Sequence, residues 1–322
     1  MSFLGLSVIE VICLSVVAVL LFLFLLLISI GEILLKISLK RESYIGKIVS
    51  KKTRENYPNY KIDLKWWKDY SLEEVCVTSY DGKKLYPMIL KAKKETDKVA
   101  IIIHGYNAKY QEMNKYAELF YNLGYNVVLT QNRAHGKSEG RFIGMGWLDR
   151  LDMLEVINMC IQKFGEGCSI DIFGLSMGAA TVCMLSGEKL PSNVKHLISD
   201  CAYASVYEEF KYVYESNTKL PAAGLTEILN IYAKIRCGYS IKNADARTKL
   251  PNCKVPILFI HGEKDTFVPY DNLKKLYDAT PENLRHVYTF ENAGHAECLP
   301  YNEEKYTQIV KEFLKDDYTN LK

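Results

Sequence analysis

Gly174-Leu175-Ser176-Met177-Gly178 has the pattern G-x-S-x-G, which can present a serine hydroxyl as a nucleophile. The pattern alone is common by chance, so its neighbours decide what it is worth. The apolar run Ile170-Asp171-Ile172-Phe173 comes before it, and the helix-forming stretch Ala179-Ala180-Thr181-Val182-Cys183-Met184-Leu185 follows. Strand, tight turn and helix would push Ser176 out at the end of a strand in a strained conformation. Glycine is needed on both sides, because a Cβ there would collide with the adjoining helix or strand.

A serine hydroxyl needs a base to take its proton, usually a histidine held by a carboxylate. After this kind of turn the expected chain order is serine, acid, histidine. Of the six histidines, His196 lies inside a predicted strand and His286 begins one, which reads as structural. His261 precedes a glycine at a strand end, and His104 and His135 precede glycines in loops. His295 alone follows the last predicted strand in the right order. For the acid, Asp265 competes with Asp200 and Glu263. The loop after the penultimate strand, just past the carboxyl end of Pro256–Gly262, favours Asp265. Acyl transfer also needs oxyanion donors, each worth about 3 kcal/mol of transition-state stabilisation. The expected donors are the Met177 N–H, opening the helix after the nucleophile, and the Tyr106 N–H, in the loop after Val99–Ile103.

On these residues the region from Glu73 to Leu314 resembles the α/β-hydrolase superfamily, in its serine aminopeptidase-like and esterase-like branch. It looks most like hydrolases of Gram-positive bacteria that carry an amino-terminal hydrophobic segment. The matching motifs are His104-Gly105-Tyr106-Asn107, Arg133-Ala134-His135-Gly136, Gly174–Thr181, His261–Pro269 and Ala293-Gly294-His295-Ala296. The resemblance implies Ser176, Asp265 and His295 as triad, Tyr106 and Met177 as oxyanion donors, and no metal or organic cofactor. Relatives usually carry an aspartate and then Arg-Gly-His-Gly where this chain has Gln131-Asn132-Arg133-Ala134-His135-Gly136. That loop is structural in such folds, so the change reads as local repacking.

The remaining sequence supplies elements to position these groups. Strand-like runs at Val99–Ile103, Asn126–Thr130, Ser169–Phe173, Val194–Ser199, Ile257–Ile260 and Val287–Phe290 alternate with helical patterns at Glu112–Leu123, Leu148–Lys163 and Met177–Leu185. Alternation of this kind predicts an α/β fold, a mostly parallel sheet covered on both faces. Val75–Tyr80 and Lys84–Leu90 read as a hairpin about Asp81-Gly82. Residues 201–250 break the alternation and are expected to form a helical cap. Its aromatics (Tyr203, Tyr207, Phe210, Tyr212, Tyr214 and Tyr232) either line an acyl pocket or pack the cap on the body.

Val11 to Ile30 contains no charge, and about twenty residues at 1.5 Å rise cover roughly 30 Å, a bilayer's hydrocarbon thickness. This predicts a transmembrane anchor over 1–35, a basic linker over 36–72 and the hydrolase domain over 73–322. A cleaved signal peptide is disfavoured by the length of the run and by the lack of any lysine or arginine before it, although Ser29-Ile30-Gly31 loosely mimics a cleavage site. Lys36, Lys40, Arg41, Lys47, Lys51, Lys52 and Arg54 follow the segment, which puts the domain on the cytoplasmic side by the positive-inside rule, an extracellular domain being the alternative. Nine cysteines without framework spacing or a C-x-x-C pair suit a reducing compartment better than a disulfide scaffold or structural zinc. Ile37, Tyr44, Ile45, Ile48 and Val49 recur at helical spacing among lysines, as in a membrane-surface helix or a linker helix packed on the domain. Trp66 and Trp67 read as packing residues. A net charge of +3, much of it juxtamembrane, gives no nucleic-acid-binding face.

These features lead to an expected esterase or lipase-like serine hydrolase acting on a small-molecule or lipid-like ester. A peptidase would need an acidic pair in the cap to hold a free amine, for which Glu208-Glu209 and Glu227 are candidates. A catalytically silent, membrane-tethered binding protein is the rival from another class. No H-E-x-x-H pattern supports a metal hydrolase.

Overall fold

The computed structural model describes residues 7–43, 67–316 and 321. Tyr44 to Trp66, with most of the expected juxtamembrane helix, lie outside the described residues. The fold grows from apolar runs whose alternate side chains face opposite ways. In β5 (Lys98–Ile103), Val99, Ile101 and Ile103 enter the core on one face of the sheet, while Ala100 and Ile102 enter the core on the other. Each of these isoleucines is fully buried, worth about 2–3 kcal/mol apiece.

The main sheet has the order β1-β4-β6-β5-β7-β8-β9-β10. It comprises β1 (Glu73–Glu74), β4 (Met88–Leu90), β5, β6 (Asn126–Leu129), β7 (Ser169–Leu175), β8 (Val194–Asp200), β9 (Ile257–Gly262) and β10 (Arg285–Phe290). From β6 to β10 every pairing is parallel; β4 runs antiparallel to β6 and to β1. The expected hairpin about Asp81-Gly82 is present but divided. β2 (Val77–Thr78) and β3 (Lys84–Leu85) pair in a small separate sheet, and only the flanking β1 and β4 reach the main one.

One face of the sheet is covered by α3 (Asp149–Phe164), α4 (Met177–Leu185) and α7 (Asp271–Ala279), the other by α2 (Asn114–Asn122) and α9 (Glu303–Phe313). A short helical turn, α8 (Cys298–Tyr301), leads into α9. Residues 201–250 contain α5 (Val206–Asn217) and α6 (Ala222–Arg236), followed by two 3₁₀ turns. Most of the cap's tyrosines tie it to other parts of the molecule. Tyr203 donates to Met145 O, Tyr212 to Thr266 O, and Tyr214 pairs with Ser38.

The apolar amino-terminal segment is one helix, α1 (Val8–Ser38), opened by a capping box between Ser7 and Glu10. By length and composition it could cross a membrane, and its most apolar stretch is not buried in the domain. Its carboxyl-terminal turns behave differently. Leu34, Leu35 and the following Leu39 join the core of the main domain.

At the end of β7 the backbone is crowded. A Cβ on Gly178 would lie 2.1 Å from Ile103 O, and one on Gly174 would lie 2.2 Å from Gly178 O. Gly178→Ala is therefore expected to destabilise the domain by about 3 kcal/mol through overpacking against rigid backbone. Urea unfolding followed by tryptophan fluorescence checks this; an unchanged midpoint would show that the strand ends can separate freely.

Candidate active site

Three loops at the carboxyl ends of β7, β9 and β10 meet beside the end of β5. Ser176, between β7 and α4, adopts φ +57° and ψ −113°, a conformation that costs of order 1–3 kcal/mol for a non-glycine residue. Its N–H donates to Asp200 O at 2.8 Å, which fixes the turn to β8. Ser176 Oγ lies 2.9 Å from His295 Nε2, and His295 Nδ1 lies 2.8 Å from Asp265 Oδ2. The three predicted side chains, 30 and 119 residues apart in sequence, are thus joined in one hydrogen-bonded line.

Asp265 is held firmly. Its Oδ1 accepts the backbone N–H groups of Phe267 and Val268 at 2.9 and 2.8 Å. His261 Nε2 lies 3.2 Å from Oδ2, so the histidine read as a turn residue also faces this acid. Burial would raise the carboxyl's pKa, but its electrostatic attraction to the His295 ring and the hydrogen bonds from His261 and His295 outweigh it and hold the group well below the usual carboxylate range. The rival acid Asp200 is also fully buried, but its Oδ2 accepts the Tyr306 hydroxyl at 2.7 Å. Burial pushes its pKa up to about 6, against that hydrogen bond. Glu263 points elsewhere, accepting from Thr289.

Cys201 Sγ, Asp265 and His295 present ligand-type atoms within 4.8 Å of one another. The oxygens of Asp265 already face four donors, and burial, then the charges of Asp200 and Asp265, push the Cys201 thiol well up. Such a thiol is neither a ready ligand nor a nucleophile, so the grouping suits proton relay better than metal binding.

The loop after β5 abuts the serine: a Cβ on Gly105 would lie 3.4 Å from Leu175 O and 3.6 Å from the Ser176 Cβ. Tyr106 follows directly. Met177 opens α4, where helix geometry leaves its N–H without an intrahelical acceptor. Two histidines brace this loop. His104 Nε2 accepts the Asn132 N–H, and His135 Nε2 accepts the Asn107 N–H, both at 3.1 Å. Burial lowers their pKa values to about 3 and about 4 respectively, keeping both rings neutral and able to accept. Arg133, in the departing motif, forks onto buried Asp152 at 2.6 and 2.7 Å and onto Asp81. It ties the small hairpin to α3, the structural role the sequence implies.

The chain is matched over residues 94–234 by the serine aminopeptidase (S33) family profile and over 236–319 by the dienelactone hydrolase family profile. The chain has the α/β-hydrolase fold. It is 28% identical over 276 residues to the uncharacterized protein YqkD of Bacillus subtilis, covering 84% of this chain and 90% of that one. It is 24% identical over 271 residues to Protein bem46 of Schizosaccharomyces pombe, with 83% of each covered. Among solved structures, an esterase of Pyrococcus furiosus superposes with a TM-score of 0.63 at 22% identity, covering 77% of this chain and 93% of that one. An acylaminoacyl peptidase of Pyrococcus horikoshii gives 0.56 at 18% identity over 76% of this chain and 41% of that one. At these identities the two structures attest the fold.

One contact to the site had no signal in the sequence. The end of α1 clamps the loop that carries Tyr106. The Tyr106 hydroxyl donates to Ser38 O and accepts from Ser43 Oγ, and Asn107 Nδ2 donates to Ser43 O and Oγ at 2.9 and 2.8 Å. Serines just past an apolar segment look like linker residues, so no local pattern marks them. Ser43→Ala is expected to slow fluorophosphonate labelling of Ser176 about fivefold, the ~1 kcal/mol of a typical hydrogen bond. An unchanged labelling rate would show that the loop keeps its position without the clamp.

Proposed function

We propose that this protein is a membrane-anchored serine hydrolase that cleaves carboxylic esters through an acyl-enzyme on Ser176. The hydrogen-bonded line Ser176–His295–Asp265, with the serine in a left-handed turn, carries the reading. His295 Nε2 takes the Ser176 proton as Oγ attacks the ester carbonyl, and Asp265 stabilises the imidazolium that forms. The N–H groups of Tyr106 and Met177 receive the negative charge on the tetrahedral oxygen. His295 then gives its proton to the departing alcohol, and water hydrolyses the acyl-enzyme by the same steps in reverse roles. The esterase likeness supports this reading. So does the cap, where carboxylates that could hold a peptide's free amine are already engaged. Glu208 pairs with Arg247 and Lys275 at 2.6 and 2.7 Å, and Glu227 pairs with Lys242 at 2.6 Å. Glu209 is buried, and burial and then Asp265 push its pKa well up, which weakens it as a partner for a cation.

Short nitrophenyl esters should be turned over faster than aminoacyl anilides, and a fluorophosphonate should label native protein but not Ser176→Ala. Asp265→Asn should lower kcat about 10⁴-fold, the typical cost of disturbing the tautomer and orientation of the histidine. Labelling of Ser176→Ala at the native level would end the proposal.

We further propose residues 1–35 as a single-pass anchor, 36–72 as linker and 73–322 as the hydrolase domain with its cap at 201–250, lying on the cytoplasmic side. The run of lysines and arginines after α1 supports that side. Cys76, exposed on the domain, should react with an impermeant maleimide only after cells are lysed; labelling on intact cells would place the domain outside.

A further inference from the structure

We infer that the carboxyl-terminal half of cap helix α6 rests in the headgroup layer of the bilayer, as a second membrane contact beside α1. The inference depends on the reading of α1 as a membrane anchor. α1 is exposed up to Ser29 and becomes covered by the domain from Ile30 and Gly31 onward. Its uncharged stretch ends at the same place, with Glu32 the first charge. With about 30 Å of helix before this point, the edge of the hydrocarbon falls near Ile30.

α6 meets α1 at that height. The Tyr232 ring lies over Gly31, where an added Cβ would come within 2.0 Å of it. The Tyr232 hydroxyl donates to Ile28 O at 3.2 Å, and Arg236 pairs with Glu32. These contacts fix the last turns of α6 against the part of α1 that enters the membrane.

The face that α6 leaves uncovered there is apolar. It buries Ala222, Thr226, Leu229 and Ala233 toward the domain. Ile231 and Ile235, one turn apart, lie on the far side of the helix and are 53% and 71% exposed. Charges suited to anionic headgroups lie at this level and in the turns of α1 on its domain side. Lys234 and Arg236 stand in the last turn of α6. Lys36, Lys40 and Arg141 surround a cavity of about 180 Å³ on α1, whose one acidic lining residue is Glu32. An apolar ridge flanked by lysine and arginine is the pattern of an interfacial helix. Its continuity with α1 makes the occupant a lipid surface. The cap would then draw a lipid-like ester directly from the membrane.

Full-length protein in nanodiscs with shallow doxyl-labelled lipids tests this, with bimane attached at one site per sample. The sites are native Cys13 in α1, Ile235→Cys, and Lys311→Cys on α9, which covers the other face of the sheet; the other exposed cysteines are replaced by serine. Quenching at 13 and 235, with at least a threefold smaller effect at 311, is expected. Quenching at 13 with position 235 no more affected than 311 would overturn the inference and leave the anchor standing. If position 13 is itself unquenched, the anchor reading fails and the inference with it.

Discussion

Backbone meets backbone with no room for a side chain at the ends of β5 and β7. Gly178 presses against Ile103 O and Gly174 against Gly178 O, and no side chain could be inserted at either contact. This crowding forces the chain to reverse sharply and holds Ser176 at positive φ. The energy for that conformation comes from the buried sheet around it, where β5 and β7 are packed on both faces. With the turn fixed by packing, the Ser176 hydroxyl is presented to His295 Nε2 at 2.9 Å. His295 and Asp265 arrive from neighbouring strand ends at matching distances.

A second layer of control comes from polar groups that hold the loops around Ser176. Asp265 has both oxygens occupied, and so little freedom to turn. His104 and His135 stay neutral because they are buried, and as neutral rings each can accept the N–H that pins the loop holding Tyr106. Arg133 does the opposite work in the same region: its charge is retained because Asp152 and Asp81 meet it in a fork.

Much of this was legible in the sequence because it rests on local patterns. The apolar run before Ser176, glycines at fixed offsets, and loops after predicted strands each state their role within ten residues. β6 is one residue shorter than read, and β7 and β8 extend to Leu175 and Asp200. The helices Asp271–Ala279 and Glu303–Phe313 escaped notice, being polar on one face and lacking a motif to draw attention. What could not be read were pairings between distant residues. Ser38 with Tyr214 and Ser43 with Tyr106 depend on how segments dock, and a serine carries no local mark of such a partner. The cap tyrosines illustrate the same point. Their aromatic character is compatible with an acyl pocket or with packing of the cap on the body, and several hydroxyls tie the cap to the body.

The last turns of α1 also bear on how the chain matures. Leu34, Leu35 and Leu39 emerge from the ribosome early, yet Ser38 finds its Tyr214 partner only 176 residues later. Until then three leucines stand without the complete core they later join. Contacts of such long range close late and slowly. Final consolidation of the nucleophile's surroundings must therefore wait for residue 295 as well as for the cap, so a chain released earlier would lack the imidazole beside Ser176 and be exposed to aggregation or proteolysis.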